Sequence, residues 1–439
     1  MFDRRLLSNF DWYLLFLVLA ICLVGTVAIQ SASQGYVGEV SFWYRQLSWI
    51  GVGLLACFIV LLVDFRTIGH WSYLLHGFVV ASLAALVFID SAEGGVNRWF
   101  TVGPVAIQPS EFVKITSVLA IAYYFRDSRQ VGGLGLKGIL VPALLVLVPF
   151  FLVVQQPDLG TALLILLSTF PIFVLAGIHK RILITIAVTG ILAITSLITA
   201  FQLGTYRIHA PVPTTLARQG AGQELVARLE SAVGQEFSTR ADLRRVFVDE
   251  EISLDNPYLD LIAENTFRPY ISHVLRPYQQ KRLLTFLDPN KDPLGAGYHV
   301  IQSKIAIGSG RFWGKGFGNS TQGALNFLPA RHTDFLFSIF AEEWGFVGVL
   351  GLLTLYGALI VQGFRIVLQT RDRFSVFLTM GIASIIAAQV LVNVGMVVGM
   401  LPVVGVPLPF FSYGGSSMVS LMAGLGLILN IRMRRFLWT

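Results

Sequence analysis

The sequence predicts an all-α polytopic integral membrane protein with about ten transmembrane helices and one large extracytoplasmic loop. Hydrophobic residues make up 55% of the 439 positions and charged residues only 13%, whereas a soluble domain averages about 25% charged residues. Apolar runs long enough to cross a bilayer recur along the chain. Lys and Arg are concentrated at one set of ends of these runs, which is typical of membrane proteins with a fixed orientation.

The apolar runs define the order of the elements. A helix crosses the hydrocarbon core in about 20 residues. By that measure the predicted spans lie at 11–31, 46–64, 72–90, 111–125, 139–155, 159–178, 182–203, 335–362, 375–398 and 416–431. Transmembrane helices 1–7 therefore occupy 1–203, the large loop 204–334, and helices 8–10 with the C-terminus 335–439. Helical spacing of leucine and valine predicts short helices in the loop near 222–236 and 240–250.

Positive charge predicts the orientation. Fourteen basic residues belong to one set of ends and loops: Arg4, Arg5, Arg66, Arg126, Arg129, Lys137, Lys180, Arg181, Arg365, Arg371, Arg373, Arg432, Arg434 and Arg435. The short loops of the other side carry only Arg45 and Arg98. Because basic residues favour the cytoplasmic side, both termini are predicted to be cytoplasmic. This distribution accounts for much of the +7 net charge and argues against nucleic acid as a partner.

Two polar clusters begin predicted spans on the outer side. "NRWFTVGPVAIQPSEFVKI" contains Arg98, and its Glu111 and Lys114 are three residues apart, so they share one helix face. They are either a self-neutralising pair with a snorkelling lysine or part of a polar cavity, where charges within spans usually lie. In "QQPDLGT", Asp158 either caps the sixth span or belongs to the same cavity.

A third cluster, "PARHTDFLFSIFAEEWGFVG", leads into the eighth span. Asp334 either caps this helix or lies in the outer cavity with Arg331. Counting about 20 residues back from Arg365 puts the hydrocarbon boundary near Gly345, with Asp334 roughly 12–16 Å above it. Glu342 and Glu343 lie at the boundary itself and are expected to pair with other helices.

A fourth polar stretch, "GMLPVVGVPLPFFSYGGSS", is too rich in proline and glycine to be helical, so it is predicted to be a folded outer loop. The glycine-rich "GSGRFWGKGFGNSTQ" does not fit a phosphate-binding loop. Gly316 follows Lys315, and no glycine stands five residues before Gly314. Cys22 and Cys57 are expected to be small core residues rather than a disulfide framework, and the histidines lack the spacing of a zinc site.

The charged residues thus converge on an outward-facing polar site: Asp158, Asp334, Glu111, Lys114, Arg98 and Arg331. Carboxylates and cations beside a lipid surface fit either chemistry on a lipid-linked anionic substrate or transport of such a substrate. A transport site usually lies near the bilayer midplane in paired repeats. The crowding of charge at the outer ends, without an evident repeat, favours chemistry. A third alternative is a non-catalytic scaffold.

These motifs also carry a family resemblance. "QPSEFVKI", "QQPDLGTALL", "LDPNKDPLGAGYHVIQSKIAIGSG", "FLPARHTDFLFS" and "LPVVGVPLPFFSYGGSS" resemble the SEDS family (shape, elongation, division and sporulation) of ten-span peptidoglycan polymerases. The stretch "DPLGAGYHVIQSKIAIGSG" is more similar to the elongation member than to the division member. Residues 205–272 depart from the family pattern, because they are extra to the usual loop.

The resemblance implies polymerisation of lipid II into β-1,4 glycan strands in cell-wall elongation and rod-shape maintenance, at the outer face of the bacterial cytoplasmic (inner) membrane. It implies that Asp334 is the catalytic carboxylate and that Asp158, Glu111 and Lys114 line the cavity. Trp99 is carried over as functionally sensitive.

The resemblance also implies partners. These are lipid II, the undecaprenyl-diphosphate-linked glycan chain and a class B penicillin-binding protein that acts as transpeptidase. No cofactor is certain from the sequence. Asp158 either orients the acceptor or holds a divalent cation such as Mg²⁺ or Mn²⁺, and the residues leave both roles open.

Overall fold

A computed structural model describes most of the predicted spans as helices. It describes residues 8–33, 42–93, 98–103, 105–127, 135–179, 205–208, 236–237, 263–266, 296–324 and 331–435, with single residues in 181–192, 227–231 and 282–286. The helices before the large loop are α1 Trp12–Ala32, α2 Phe42–Leu62, α3 Phe65–His70, α4 Ser72–Glu93, α5 Pro109–Phe125, α6 Leu136–Gln155 and α7 Leu159–Leu175. Those after it are α8 Ala296–Ser309, α9 Thr321–Ala324, α10 Leu336–Gln369, α11 Arg373–Val397 and α12 Gly415–Arg434.

Seven of the described helices are long and apolar enough to cross a membrane: α1, α2, α4, α6, α10, α11 and α12. Helices α5 and α7 have 17 residues each and coincide with the predicted fourth and sixth spans. Each begins beside a polar cluster, which shortens its apolar run. Within the predicted seventh span, 182–203, only residues 182, 184, 185, 188, 189 and 192 are described, and they are helical. The chain is therefore a multi-pass α-helical membrane protein, and the count of ten stays a prediction.

The chain divides into two compact units, 1–180 with 302–439 and 181–301. In the first unit, α11 packs against α5, α7, α10 and α12, while α12 also packs on α2 and α10 on α1. Small residues allow this close approach. A Cβ added at Gly381 of α11 would lie 2.3 Å from Val118 of α5, and one at Gly424 of α12 would lie 2.7 Å from Ile115. These contacts fix the height of α11 against α5 and α12.

Two small sheets accompany the helices. Strands β1 Phe100–Val102 and β2 Val105–Ile107 form an antiparallel hairpin just before α5. In the second unit, β3 Thr205–Ile208 pairs antiparallel with both β4 Glu236–Phe237 and β5 Ala263–Thr266.

The prediction that the first part of the large loop is helical was therefore incomplete. Residues 227, 230 and 231 are helical, but the predicted helix at 222–236 meets a strand at its end. Aromatic and β-branched residues such as Tyr206, Ile208 and Phe237 favour strands. The predicted helix at 240–250 and most of the segment 205–272 lie outside the described residues.

Helix α10 is broken at Gly345, whose φ of 62° and ψ of −163° are not helical. The glycine-rich stretch that follows α8 fills the break. The amides of Lys315 and Gly316 donate to the carbonyls of Glu342 and Glu343, at 3.0 and 2.9 Å. The amide of Phe346 donates back to the Arg311 carbonyl at 2.9 Å. The glycine-rich stretch thus forms main-chain hydrogen bonds with α10 on both sides of its break.

Candidate functional site

The first two polar clusters meet beside the β1–β2 hairpin. Nη2 of Arg98 donates to the Pro157 carbonyl at 2.8 Å, and Nε2 of Gln108 donates to Oδ2 of Asp158 at 3.2 Å. Gln108 immediately precedes α5, and Asp158 immediately precedes α7. The starts of α5 and α7 therefore lie side by side in one polar cluster. Trp99, next to Arg98, is 41% exposed.

Asp158 caps α7 and is also a buried carboxylate. Its Oδ1 accepts from the Thr161 amide at 3.1 Å and its Oδ2 from the Thr161 hydroxyl at 2.9 Å. Burial raises the pKa of Asp158, Thr161 and the nearby Arg98 oppose that rise, and the charge of Glu111 adds to it. Capping and membership of the polar cavity, which the sequence left as alternatives, are both features of this residue.

Glu111 and Lys114 form the ion pair that their spacing predicts. Nζ of Lys114 lies 2.9 Å from Oε2 of Glu111, with side-chain exposures of 1% and 6%. The lysine does not snorkel to the surface, because it is enclosed in the first turns of α5. A buried pair of this kind is costly to break, since removing one partner leaves an uncompensated charge.

Asp334 lies two residues before the start of α10 and does not occupy its cap position. Helix α10 begins at Leu336, and its N-cap is Phe335, which makes no side-chain capping hydrogen bond. The Asp334 carbonyl accepts from Nδ2 of Asn393 at 2.9 Å, and the residue is half-buried. The cap position, one of the two alternatives for Asp334, is therefore occupied by Phe335.

Two residues just before Asp334 in the chain, Arg331 and His332, are each held by contacts with other parts of the protein. The guanidinium of Arg331 is buried and donates to the carbonyl of Gly323 in α9. The His332 ring stacks on Phe42, with centroids 4.2 Å apart, and its carbonyl accepts from the Tyr413 amide at 3.0 Å. Burial, assisted by the charge of Arg331, lowers the pKa of His332.

The stretch 399–417 was predicted as a folded loop, and residues 399–414 of it are non-helical, whereas 415–417 begin α12. The segment 399–414 connects the clusters. Nδ2 of Asn393 bridges the Asp334 carbonyl and the Val406 carbonyl, the latter at 2.6 Å. A Cβ added at Gly160, two residues after Asp158, would lie 2.6 Å from the Val404 carbonyl. Just beyond the segment, the Ser416 hydroxyl accepts from the Gln108 amide at 3.0 Å.

The described contacts thus bring Arg98, Asp158, Glu111 and Lys114 into one polar cluster. They join Asp334 to that cluster through Asn393 and the segment 399–414. The described contact of Arg331 is its hydrogen bond to the Gly323 carbonyl of α9, outside this cluster. Asn393 and Ser416 were not among the predicted site residues. The available signal was the polar pair Gln389 and Asn393, four residues apart in an apolar span.

Glu342 and Glu343 pair outside this cluster. Glu343 pairs with another helix, as predicted, whereas Glu342 pairs mainly with the non-helical stretch that follows α8. The Glu342 carboxylate accepts from Nζ of Lys315 at 2.5 Å and from the Ser320 and Thr321 hydroxyls at 2.6 Å each. The Glu343 carboxylate accepts from the hydroxyl of Ser31 in α1.

Among the described residues, the side chains near Asp158 do not supply the ligand set of a divalent cation. In the part of the chain that the structure describes, no three His, Cys, Asp or Glu side chains gather as metal ligands. Both oxygens of Asp158 already accept hydrogen bonds from Thr161 and Gln108, whereas a hard cation such as Mg²⁺ needs several oxygen ligands.

A cavity of about 340 Å³ lined by Asp11, Gln362 and Arg432 contains none of the predicted site residues.

The fold and the site define a class: a polytopic membrane protein with a polar cluster at a shared end of its helices. The family model FTSW_RODA_SPOVE, described as "Cell cycle protein", matches residues 10–212 and 259–436. The chain belongs to this family, and residues 213–258 lie between the two matched parts.

Named relatives match over nearly the whole chain. "Peptidoglycan glycosyltransferase MrdB" of Escherichia coli (strain K12) is 33% identical over 427 residues, 97% of this chain and 94% of that protein. "Peptidoglycan glycosyltransferase RodA" of Treponema pallidum (strain Nichols) is 32% identical, over 98% and 99% of the two chains. A solved structure described as "Structural coordination of polymerization and crosslinking by a peptidoglycan synthase complex" superposes with a TM-score of 0.66 and 32% identity, over 97% and 98% of the chains.

Proposed function

We propose that this chain is a peptidoglycan glycosyltransferase that joins lipid II disaccharides into β-1,4 glycan strands during cell-wall elongation. The observation that carries the proposal is the position of Asp334. It precedes the helix cap, it is half-buried, and its main chain is bound to Asn393. The relatives' names, both peptidoglycan glycosyltransferases, support the same activity.

In this mechanism Asp334 is the general base. The acceptor is the 4-hydroxyl of the GlcNAc of one lipid II, and a sugar hydroxyl is a poor nucleophile until a base takes its proton. The Asp334 carboxylate takes that proton as the hydroxyl oxygen bonds to C1 of the donor MurNAc. A positioned base of this kind contributes about 10²–10⁴-fold to the rate.

As the hydroxyl oxygen bonds to C1, the bond between C1 and the undecaprenyl diphosphate breaks in the same step, and its electron pair leaves with the diphosphate. Inversion at C1 turns the α-linked donor into a β-linked product without a covalent enzyme intermediate. The growing negative charge needs a cation. Among Arg98, Lys114 and Arg331, only Arg98 is partly exposed, whereas the other two are buried. Arg98 is therefore the favoured contact for the diphosphate, with Trp99 beside it.

Lys114 and Glu111 have a different role in this proposal. Glu111 is three residues and Lys114 six residues after Gln108, which contacts Asp158 at the start of α5. We assign the pair to shaping the electrostatics of the cavity under Asp158, and Asp158 to orienting the acceptor sugar. Neither role needs the pair to open.

The active site is proposed to face the outside of the cytoplasmic membrane, with both termini inside, as the distribution of Lys and Arg predicts. The proposed partner is a class B penicillin-binding protein, which would crosslink the strands made here. The matched structure of a peptidoglycan synthase complex supports a crosslinking partner for this fold.

Purified protein in liposomes tests the activity. Wild-type protein and Asp334→Asn are given lipid II, with and without the partner transpeptidase, and glycan chains are separated on a gel. Asp334→Asn should lose at least about 10²-fold in polymerisation. It should keep its thermal stability, because asparagine has the same size as aspartate and the main-chain bond to Asn393 stays in place. The control is Asp372→Asn, in the cap of α11, which should polymerise normally.

Three results would contradict the proposal. Near-normal polymerisation by Asp334→Asn removes the carboxylate from the base role. Movement of lipid II between leaflets without any polymer favours the flippase alternative. Neither polymer nor movement from the wild-type protein favours a scaffold.

A further inference from the structure

Arginines cluster at the ends of α10 and α12 that lie opposite Asp334 and Ser416. Nη1 of Arg432, in the last turn of α12, donates to Oε1 of Gln369, the last residue of α10, at 2.6 Å. Nη1 of Arg435 donates to the same oxygen at 3.0 Å. Two guanidinium groups therefore converge on one uncharged acceptor.

These helix ends carry an excess of positive charge among the described residues. Arg434 pairs with Asp64 at 3.3 Å and so adds little net charge. Partial burial, together with the charges of Arg432 and Arg371, lowers the pKa of Arg435, so these three arginines lie near one another. The other charged residues described where α1 and α11 begin and α10 and α12 end are mostly basic: Arg365, Arg371, Arg373, Arg432 and Arg435 against Asp11 and Asp372.

The cavity of about 340 Å³ lies beside Arg432 and is also lined by Ser8 and Asn9. Asp11 lines it too, but this carboxylate is buried, caps α1 and accepts from Nε2 of Gln362 at 2.7 Å. Its Oδ2 is 3.8 Å from Nε of Arg432, which is beyond hydrogen-bond distance. Since a guanidinium has five N–H donors, Arg432 can bind a further anionic group in the cavity.

The cavity adjoins a surface of α1 that faces lipid. Trp12 and Tyr13 line the cavity and are 64% and 51% exposed, and such aromatic residues are typical of the membrane interface. Phe16, Leu19 and Leu23 are also exposed, and their spacing from Trp12 puts all four on one helix face. This stripe is about 16 Å long, close to the depth of one leaflet of a hydrocarbon core about 30 Å thick.

We propose that the cavity binds the head group of an anionic phospholipid, whose acyl chain lies along the stripe Trp12, Phe16, Leu19 and Leu23. The lipid phosphate accepts from the guanidinium of Arg432, because arginine is well suited to phosphate. The neighbouring arginines add favourable charge. A zwitterionic head group would bring its own cation among them and is disfavoured. A water-soluble anion would leave the apolar stripe without a ligand.

Lipid binding by the purified protein tests this site without any measurement of catalysis. Protein in detergent is titrated with phosphatidylglycerol or with phosphatidylcholine of the same acyl chains, and bound lipid is measured by native mass spectrometry. Wild-type protein should bind phosphatidylglycerol at least about tenfold more tightly, since each basic residue near an anionic lipid contributes about fivefold. Arg432→Gln should lose about fivefold of that affinity. Arg371→Gln, at an exposed position, should lose about two- to fivefold.

The matched control is Arg434→Gln, which removes the same charge from the same helix end. Its affinity should fall by less than about twofold, because the charge of Arg434 is already paired with Asp64. An equal loss in Arg434→Gln and Arg432→Gln would indicate general attraction to a basic surface and would overturn the inference.

Two further results would also overturn it. One is equal affinity of the wild-type protein for the two lipids. The other is binding of glycerol 3-phosphate as tight as that of phosphatidylglycerol, which would indicate a site for free anions. If Arg432→Gln does not fold, Arg371→Gln decides, and an unchanged affinity in that variant contradicts the lipid site.

Discussion

Lys315 and Glu342 are joined twice. The amide of Lys315 donates to the Glu342 carbonyl at 3.0 Å, and its ammonium lies 2.5 Å from the Glu342 carboxylate. The carboxylate also accepts from the amides of Thr321 and Gln322, at 3.1 and 3.3 Å. A single buried side chain of α10 thus holds the segment 315–322 on the helix break at Gly345.

Glu342→Gln should therefore destabilise the protein by about 2–3 kcal/mol. Glutamine has one acceptor oxygen where glutamate has two. Its amide NH₂ group would therefore face one of the hydrogen-bond donors that now bind the Glu342 carboxylate. The loss is less than the 3–5 kcal/mol typical of a fully buried pair, because Lys315 is partly exposed. Thermal unfolding in detergent measures the change.

The control for this prediction is the next residue. Glu343→Gln should change stability less, because one of its carboxylate oxygens has no partner among the described residues and can be replaced by an amide. If Glu343→Gln proved the more damaging variant, the assigned hydrogen bonds of Glu342 would be wrong.

Gly345→Ala should weaken the fold through the backbone. Its positive φ disfavours any residue with a Cβ, and the added Cβ would lie 2.3 Å from the Gly314 amide nitrogen. We expect a loss of at least about 1–3 kcal/mol by thermal unfolding. Gly351→Ala, in the same helix with open space around its Cβ, should be neutral or stabilising. Equal losses in the two variants would contradict the helix break.

The Glu111–Lys114 pair allows its structural and functional roles to be separated. Lys114→Met should cost about 3–5 kcal/mol, because it leaves Glu111 buried without a cation. The double variant Glu111→Gln/Lys114→Met should recover most of that stability. If the pair shapes the active site, the double variant should fold and still fail to polymerise lipid II. Normal polymerisation by the double variant would make the pair purely structural.

The stability of the protein should respond to pH through Asp158. Because burial raises the pKa of Asp158, the folded chain binds its proton more tightly than the unfolded chain does. Ionisation therefore costs stability, and the free energy of unfolding should fall as pH rises from about 3.8 toward the raised pKa. Melting temperatures between pH 4 and 7 should show this slope in the wild-type protein and a flatter one in Asp158→Asn.

Asp372→Asn is the matched control for the pH series. Asp372 caps α11 through the Ser375 amide at 3.0 Å, but it is half-buried rather than buried. It should leave the wild-type slope in place. If Asp158→Asn keeps the full slope as well, another group is responsible for it.

Much of the site was predictable because the free-energy cost of burying backbone groups and charges in a membrane depends mainly on the residues of the same segment. An apolar run of sufficient length must be a helix, since backbone groups in lipid have to be satisfied within the segment. A charge in such a run needs a partner, so Glu111 and Lys114 could be paired from their spacing. Proline and glycine in 399–414 excluded a helix there. Asp158 could likewise be predicted as a cap, because its side chain acts on the amide three residues later.

The partnerships across long sequence distances were not predictable in this way. Asn393 binds residues 59 and 13 positions away, and the glycine-rich stretch docks on a helix break some 30 residues later. Phe335, rather than Asp334, proved to be the cap of α10.

The sequence by itself therefore determined the class of protein, the spans that the structure describes as helices, and the residues whose charge demands explanation. Only the tertiary structure decided which of those residues meet, and that Lys114 is buried while Arg98 is partly exposed. The physical reason is that the length of an apolar run and the free-energy cost of burying a charge are properties of one segment. Helix register and the burial of a particular side chain depend on how the segments pack.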